Sequence, residues 1–117
     1  MREAFTFDDV LLVPAYNHYE SRQHVDTSMT DRTGRLTLKL PVMTANMDTV
    51  TESGMANFIS AKGGIGVLHR LMSIECKVGV FRRCTSPVFV SVGTSQEELT
   101  RAEALRDAGA TYFVVDV

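Results

Sequence analysis

Three short polar clusters carry the side chains best suited to chemistry: Asn46-Met47-Asp48-Thr49, His69-Arg70 and Gly93-Thr94-Ser95, and whatever follows Asp116-Val117 holds the corresponding place after the last strand. An arginine fork matches the oxygens of a phosphate, and Arg70 beside His69 points to phosphate or cofactor recognition. A lone histidine in such a place also serves as a hydrogen-bonded structural residue. Gly93-Thr94-Ser95 follows an apolar run and opens a helical pattern, so its backbone N–H groups suit an anion, although a simply capped helix accounts for the same residues. In the first cluster Asp48 or Thr49 suits a helix cap and Met47 a core filler, and ligand contact is the equal alternative. Gly63-Gly64-Ile65-Gly66 resembles a phosphate loop only on the surface. It closes a helix and opens a strand, the reverse of a dinucleotide fingerprint. No Ser-His-Asp set, metal-ligand spacing or paired carboxylates can be assembled, so no catalytic residue is assigned.

The elements that would position these clusters repeat a strand–helix grammar from Pro41 onward. Strands are expected at Val42–Ala45, Ile65–His69, Pro87–Val92 and Tyr112–Val117. A helix over Thr51–Lys62 carries Met55, Phe58 and Ile59 at helical spacing and ends at Gly63, which suits a left-handed cap. A second runs from a Ser73 cap to about Arg83, with Ile74, Val78 and Phe81 on one face. A third opens with Ser95-Gln96-Glu97-Glu98, the form of a capping box, and carries Leu99, Ala102 and Leu105 as its stripe to Gly109. Continuous apolar strands alternating with single helices imply a parallel sheet covered by helices, where ligands gather at the C-terminal strand ends. The three clusters and the position after Asp116-Val117 fall there. Residues 1–40 read differently, as an apolar arm at Phe5–Pro14 and an antiparallel hairpin around Thr33-Gly34.

The 117 residues are 44% hydrophobic and 22% charged, with a net charge of −2, as befits a globular chain. No basic footprint argues for nucleic-acid binding, no apolar run reaches membrane-spanning length, and the N-terminus from Met1 to Phe5 carries no secretory signal. Cys76 and Cys84, eight apart on an expected helix, stand about 12 Å apart against a disulfide limit of ~7 Å. They are expected to be reduced, which fits a cytoplasmic protein. A barrel needs eight strand–helix units and about 250 residues, and four units are present. The expectation is therefore an α/β fold in which 1–40 is an arm and hairpin and 41–117 is the first half of a (βα)8 TIM barrel. Such a half, with its last strand unpaired, is expected to associate.

Phe5-Thr6-Phe7-Asp8-Asp9-Val10-Leu11-Leu12-Val13-Pro14, Ala45-Asn46-Met47-Asp48-Thr49-Val50-Thr51-Glu52, Gly63-Gly64-Ile65-Gly66-Val67-Leu68-His69 and Met72-Ser73-Ile74-Glu75 resemble the IMP dehydrogenase and GMP reductase family. The resemblance is collinear over nearly the whole chain. It implies a (βα)8 barrel, usually tetrameric, that binds a purine nucleotide (IMP or GMP) and a nicotinamide cofactor. It further implies cofactor contacts at Ser21 and Arg22, reaching a neighbouring subunit, and at Arg70, Asp116 and Val117. Substrate contacts are implied at Asn46 and Met47. A monovalent cation such as potassium would find its ligands outside this chain. So would the nucleophilic cysteine, whose thiolate adds to purine C2; Cys76 and Cys84 do not match its motif.

Within the family, the short connection from Arg83 to Val88 leaves no room for the CBS modules usual in IMP dehydrogenases. That feature, Asn46, Ser21-Arg22 and Ser91-Val92-Gly93-Thr94-Ser95 are closer to GMP reductase, which converts GMP to IMP and ammonia with NADPH. Thr51-Glu52 and Gly63-Gly64-Ile65-Gly66 look more like the NAD-dependent dehydrogenase that takes IMP to XMP; the resemblance favours GMP reductase, with IMP dehydrogenase lacking CBS modules as the alternative. Arg70 stands where GMP reductases commonly have lysine. A half-barrel that only binds nucleotide, or only assembles with a partner, is the non-catalytic alternative.

Overall fold

The computed structural model describes residues 3–117; Met1 and Arg2, part of the segment examined for a secretory signal, lie outside the described residues. Its regular elements are β1 (Met29–Thr30), β2 (Thr37–Leu38), α1 (Ser53–Ala61), β3 (Val67–Leu68), α2 (Ile74–Arg82), β4 (Phe89–Val92), α3 (Gln96–Asp107) and β5 (Tyr112–Val115), with one 3-10 turn at Arg22–His24. β3, β4 and β5 form a parallel sheet in that order, and β1 and β2 an antiparallel pair. The chain holds open parallel α/β architecture without barrel closure. No helix among the described residues is long and apolar enough to cross a membrane.

The hairpin turns where expected. Met29 pairs with Leu38 and Thr30 with Thr37, Gly34 takes the left-handed φ of +72°, and the Asp31 carboxylate accepts the Arg35 and Leu36 N–H groups. The arm before it has no sheet partner. Phe7, Leu11 and Leu12 are at least 95% exposed, and the radius of gyration is 17.5 Å, against about 13 Å for a compact chain of this length.

The strand expected at Val42–Ala45 is a single parallel bridge between Met43 and Ile65. The Thr44 hydroxyl explains why it goes no further. It accepts the Val67 N–H at 3.2 Å and the Thr51 hydroxyl at 2.8 Å, so a side chain takes the place of a ladder bond. The second strand is likewise shorter than Ile65–His69, ending at Leu68.

The helices form where the spacing predicts, but their buried faces differ. In α1 the sheet-facing residue is Ala56, fully buried, while Met55 and Phe58 are exposed. A Cβ on Gly66 would lie 2.6 Å from the Ala56 Cβ, so the helix sits directly on the strand backbone, and only a small side chain fits between. In α2, Lys77 and Val80 are the buried residues and Val78 and Phe81 pack at the margin of the core. In α3, Leu105 is buried as expected, Leu99 is exposed, and Glu98 and Arg101 turn inward instead. The core is the helix-facing row Leu68, Val88, Val90 and Val92 against Val80, Leu105 and Ala110.

Two details clarify the short connection after α2. Asn57 of α1 donates to the Arg83 carbonyl at 3.1 Å and accepts the Thr85 N–H at 2.9 Å, holding the chain as it turns toward β4. Cys84 lies just past the helix rather than within it, and both cysteines are free. Burial raises the Cys84 thiol above its ordinary pKa.

Candidate functional site

The C-terminal ends of β3, β4 and β5 lie side by side, because a parallel register aligns them. Asp116 N–H donates to the Val92 carbonyl at 2.8 Å. That bond carries the β4–β5 ladder one residue past β5 and fixes where the Asp116 carboxylate emerges. Arg70, two residues beyond β3, brings its Nε to 3.5 Å from Asp116 Oδ2, and both side chains stay about a third exposed, at 34% and 39%. The Arg70 Nε has no hydrogen bond among the described residues. Gly93, at the end of β4, lies beneath this bridge. A Cβ there would stand 3.7 Å from an Arg70 terminal nitrogen and 2.9 Å from Glu98 Cγ. The glycine leaves room for the Glu98 side chain, with Arg70 at ordinary contact distance above it.

The start of α3 already holds an anion of the protein's own. Ser95 caps the helix, its hydroxyl accepting the Glu98 N–H at 3.3 Å. Glu98 does not return to Ser95 as a capping box requires; it reaches further back and accepts the Gly93 N–H at 2.8 Å. Arg101 Nε donates to the same carboxylate at 2.9 Å and its terminal nitrogen to the Met72 carbonyl at 2.7 Å. Burial works to raise the Glu98 pKa, but the Gly93 N–H and Arg101 outweigh it and hold the carboxyl below its ordinary value. Gly93-Thr94-Ser95 is thus a capped helix start, with an internal carboxylate on its first N–H.

His69 is buried. Its Nδ1 accepts the Leu71 N–H at 3.2 Å, which places the proton of the neutral ring on Nε2. Nε2 stands 3.8 Å from Glu52 Oε1 without a hydrogen bond and borders a cavity of about 460 Å³ with Asp48, Glu52 and Cys76. Neither Asp48 nor Thr49 caps α1: Glu52 holds that position without a side-chain bond. The Met47 carbonyl accepts the Val50 and Thr51 N–H groups, both at 3.0 Å, in a tight turn that leaves the Met47 side chain exposed and Asn46 half-buried. Met47 is therefore not a core filler.

The structure thus joins Arg70 to Asp116 and sets Asn46 and Met47 after the neighbouring bridge strand. It does not bring Ser21 or Arg22 to them. Ser21 caps the 3-10 turn through the Gln23 N–H, and no hydrogen bond or ion pair among the described residues links either residue to the strand ends. Val117 follows Asp116 fully in the open. Among the described residues no group of three or more His, Cys, Asp or Glu could hold a metal ion. Sequence reasoning missed Lys77, Glu98 and Arg101. The i, i+3 spacing of Glu98 and Arg101 is the one signal that would have found that pair.

Comparison with known proteins bears on the family of the chain. The profile described as IMP dehydrogenase / GMP reductase domain matches residues 4–117. An inosine-5'-monophosphate dehydrogenase of Bacillus subtilis (strain 168) is 51% identical over 74 residues, covering 63% of this chain and 15% of that protein. A GMP reductase of Leishmania donovani is 39% identical over 108 residues, covering 90% of this chain and 22% of its own length. Among solved structures, inosine 5' monophosphate dehydrogenase from Legionella pneumophila superposes with a TM-score of 0.84 at 64% identity, over 98% of this chain and 36% of that one. The chain thus spans about a fifth of the length of these curated relatives or less. With a family profile matched along all but its first three residues, and parallel strand ends carrying the paired Arg70 and Asp116, the chain belongs to the IMP dehydrogenase / GMP reductase family.

Proposed function

We propose that the chain supplies the first strand–helix units of a (βα)8 barrel that oxidises or reduces a purine nucleotide with a nicotinamide cofactor. The observation that carries this reading is the Arg70–Asp116 pair over Gly93 at the shared strand ends. A guanidinium about a third exposed suits a phosphate through its terminal nitrogens, and a carboxylate about as exposed suits a ribose hydroxyl. The residues present therefore fit a dinucleotide, which when bound supplies the hydride acceptor or donor. In this reading Arg70 and Asp116 bind and orient it, while Asn46 and the exposed Met47 lie toward the purine. Val117 continues the cofactor side, and Ser21 and Arg22 reach it from a neighbouring subunit of a homotetramer.

Of the family's two reactions, the NAD-dependent oxidation of IMP to XMP is the better supported, by the 64% identity to the Legionella pneumophila inosine 5' monophosphate dehydrogenase. NADPH-dependent reduction of GMP to IMP and ammonia is the second reading. It is favoured by the uninterrupted passage from α2 to β4 and by a GMP reductase match running through 90% of the chain. Steady-state assays of the full polypeptide with NAD plus IMP, and separately with NADPH plus GMP, test both. Turnover of one pair selects the reaction. Binding of nucleotide without turnover of either pair selects the non-catalytic half-barrel.

A further inference from the structure

α2 turns one lysine inward. Lys77 has no exposed surface, and its ammonium donates to the Ser91 carbonyl of β4. The strand register explains why that carbonyl is free. Phe89 N–H donates to the Gly66 carbonyl, so alternate residues of β4, Phe89 and Ser91, turn their backbone groups toward β3. Val67 pairs with Phe89 and Leu68 with Val90; Ser91 would come next, but β3 has ended. The lysine replaces the missing strand.

Four charged groups face this ammonium from the elements packed around it: Arg70 after β3, Asp116 after β5, and Glu98 and Arg101 of α3. Counting Lys77, three cations meet two carboxylates. Arg101 is satisfied by Glu98 and the Met72 carbonyl, and Arg70 stands against Asp116. Lys77 has only a neutral carbonyl, with the Ser91 hydroxyl, itself buried, lacking a partner. The surplus positive charge of the cluster is therefore the lysine's.

We infer that Lys77 is a positioning residue whose proton sets the charge beneath Arg70, Gly93 and Asp116, and through them the affinity of these strand ends for an anionic dinucleotide. The second half rests on the cofactor reading above; the first does not. Burial, reinforced by Arg101, lowers the Lys77 pKa from 10.5 to about 7, so the proton is held on the acid side of neutrality and released on the basic side. Releasing it balances the cluster and removes one unit of attraction for a bound anion. A unit charge acting over about 10 Å at an effective dielectric near 20 changes affinity roughly tenfold once salt screening is included.

The test follows the Arg70 Nε–H by nitrogen-15 NMR and the Asp116 carboxyl by carbon-13 NMR in the full chain. Wild type is compared with Lys77→Met, which removes the charge at similar length, and Lys77→Arg, which keeps it at every pH used. Both wild-type signals are expected to move with a shared midpoint near 7, and neither variant to show that step. NADH has no phosphate monoester to titrate, so its binding is measured by calorimetry at about pH 6 and about pH 8.5. Wild type should bind roughly tenfold more weakly at the higher pH, Lys77→Arg should hold its affinity, and Lys77→Met should be weak at both. Wild-type signals that stay flat across neutrality, or a step that survives in Lys77→Arg, overturn the inference even if Lys77→Met does not fold. A step at Arg70 with no NADH binding at any pH overturns the cofactor reading and the affinity clause, and leaves the control of Arg70 by Lys77 standing.

Discussion

Arg70 Nε lies 3.5 Å from Asp116 Oδ2, and this one contact spans the sheet from the end of β3 to the end of β5 across Gly93. The two residues are remote in sequence, and the parallel pairing of β3 with β4 and of β4 with β5 brings them together. Arg70→Ala in the full polypeptide should raise the apparent KM for the nicotinamide cofactor roughly 10- to 100-fold. That is the loss of one charge-assisted hydrogen bond of about 1.5–3 kcal/mol. The KM for the purine nucleotide should change far less. A solvated arginine with no ligand would leave both within about 0.5 kcal/mol of wild type, so an unchanged cofactor KM rejects the assignment.

Gly66 is held to glycine by contact rather than by its backbone angle. An added Cβ would stand 2.6 Å from the Ala56 Cβ and 2.7 Å from its Cα, and helix backbone cannot swing aside as a side-chain tip can. Gly66→Ala should cost about 1–3 kcal/mol of stability, read by denaturant unfolding. Gly54→Ala, in α1 with open space around it, should gain or lose less than about 1 kcal/mol. Equal effects at the two positions would contradict the close approach of α1 to β3.

Glu98 joins the half-buried Gly93 N–H to Arg101, which is buried with it. Glu98→Ala leaves an uncompensated guanidinium and should cost about 3–5 kcal/mol. The pH dependence follows from the depressed carboxyl pKa. The folded state releases this proton more readily than the unfolded state, so the contribution is present above the unfolded value and lost as pH falls through the folded one. Wild type should therefore lose stability on acidification below about pH 4.5 more steeply than Glu98→Gln.

Lys77 has the opposite sense. Its folded pKa, about 7, lies below the unfolded 10.5, so between those values the unfolded chain binds the extra proton. Stability should rise with pH across that window, and Lys77→Met should remove the rise. Urea unfolding at several pH values checks this, and a slope that survives the substitution would assign it to another group.

The exposed apolar arm predicts association. Phe7, Leu11 and Leu12 are almost wholly exposed. Sedimentation of the full chain should show concentration-dependent assembly, and replacing Leu11 and Leu12 by serine should weaken it. A monodisperse monomer at all concentrations would show that these surfaces are satisfied within the chain.

The sequence by itself determined the element order, the hairpin at Gly34, the caps at Ser73 and Ser95, the structural role of Gly63-Gly64-Ile65-Gly66 and the family resemblance. These are local matters: turn chemistry, capping and apolar period act within a few residues, and a motif is read where it stands. It also marked Arg70, because polar residues after apolar runs fall at strand ends in a parallel sheet, and it marked Asp116 through the family resemblance alone. Only the tertiary structure decided that the two meet, since that depends on strand order and register. It also decided which helix faces are buried. The close seat of Ala56 on Gly66 rotates α1 away from its Met55 and Phe58 stripe, and the Glu98–Arg101 pair displaces Leu99 from the core of α3. Lys77 was illegible for the same reason. A lysine in an amphipathic helix reads as a solvated residue, and only the carbonyl left open where β3 ends before β4 turns it inward.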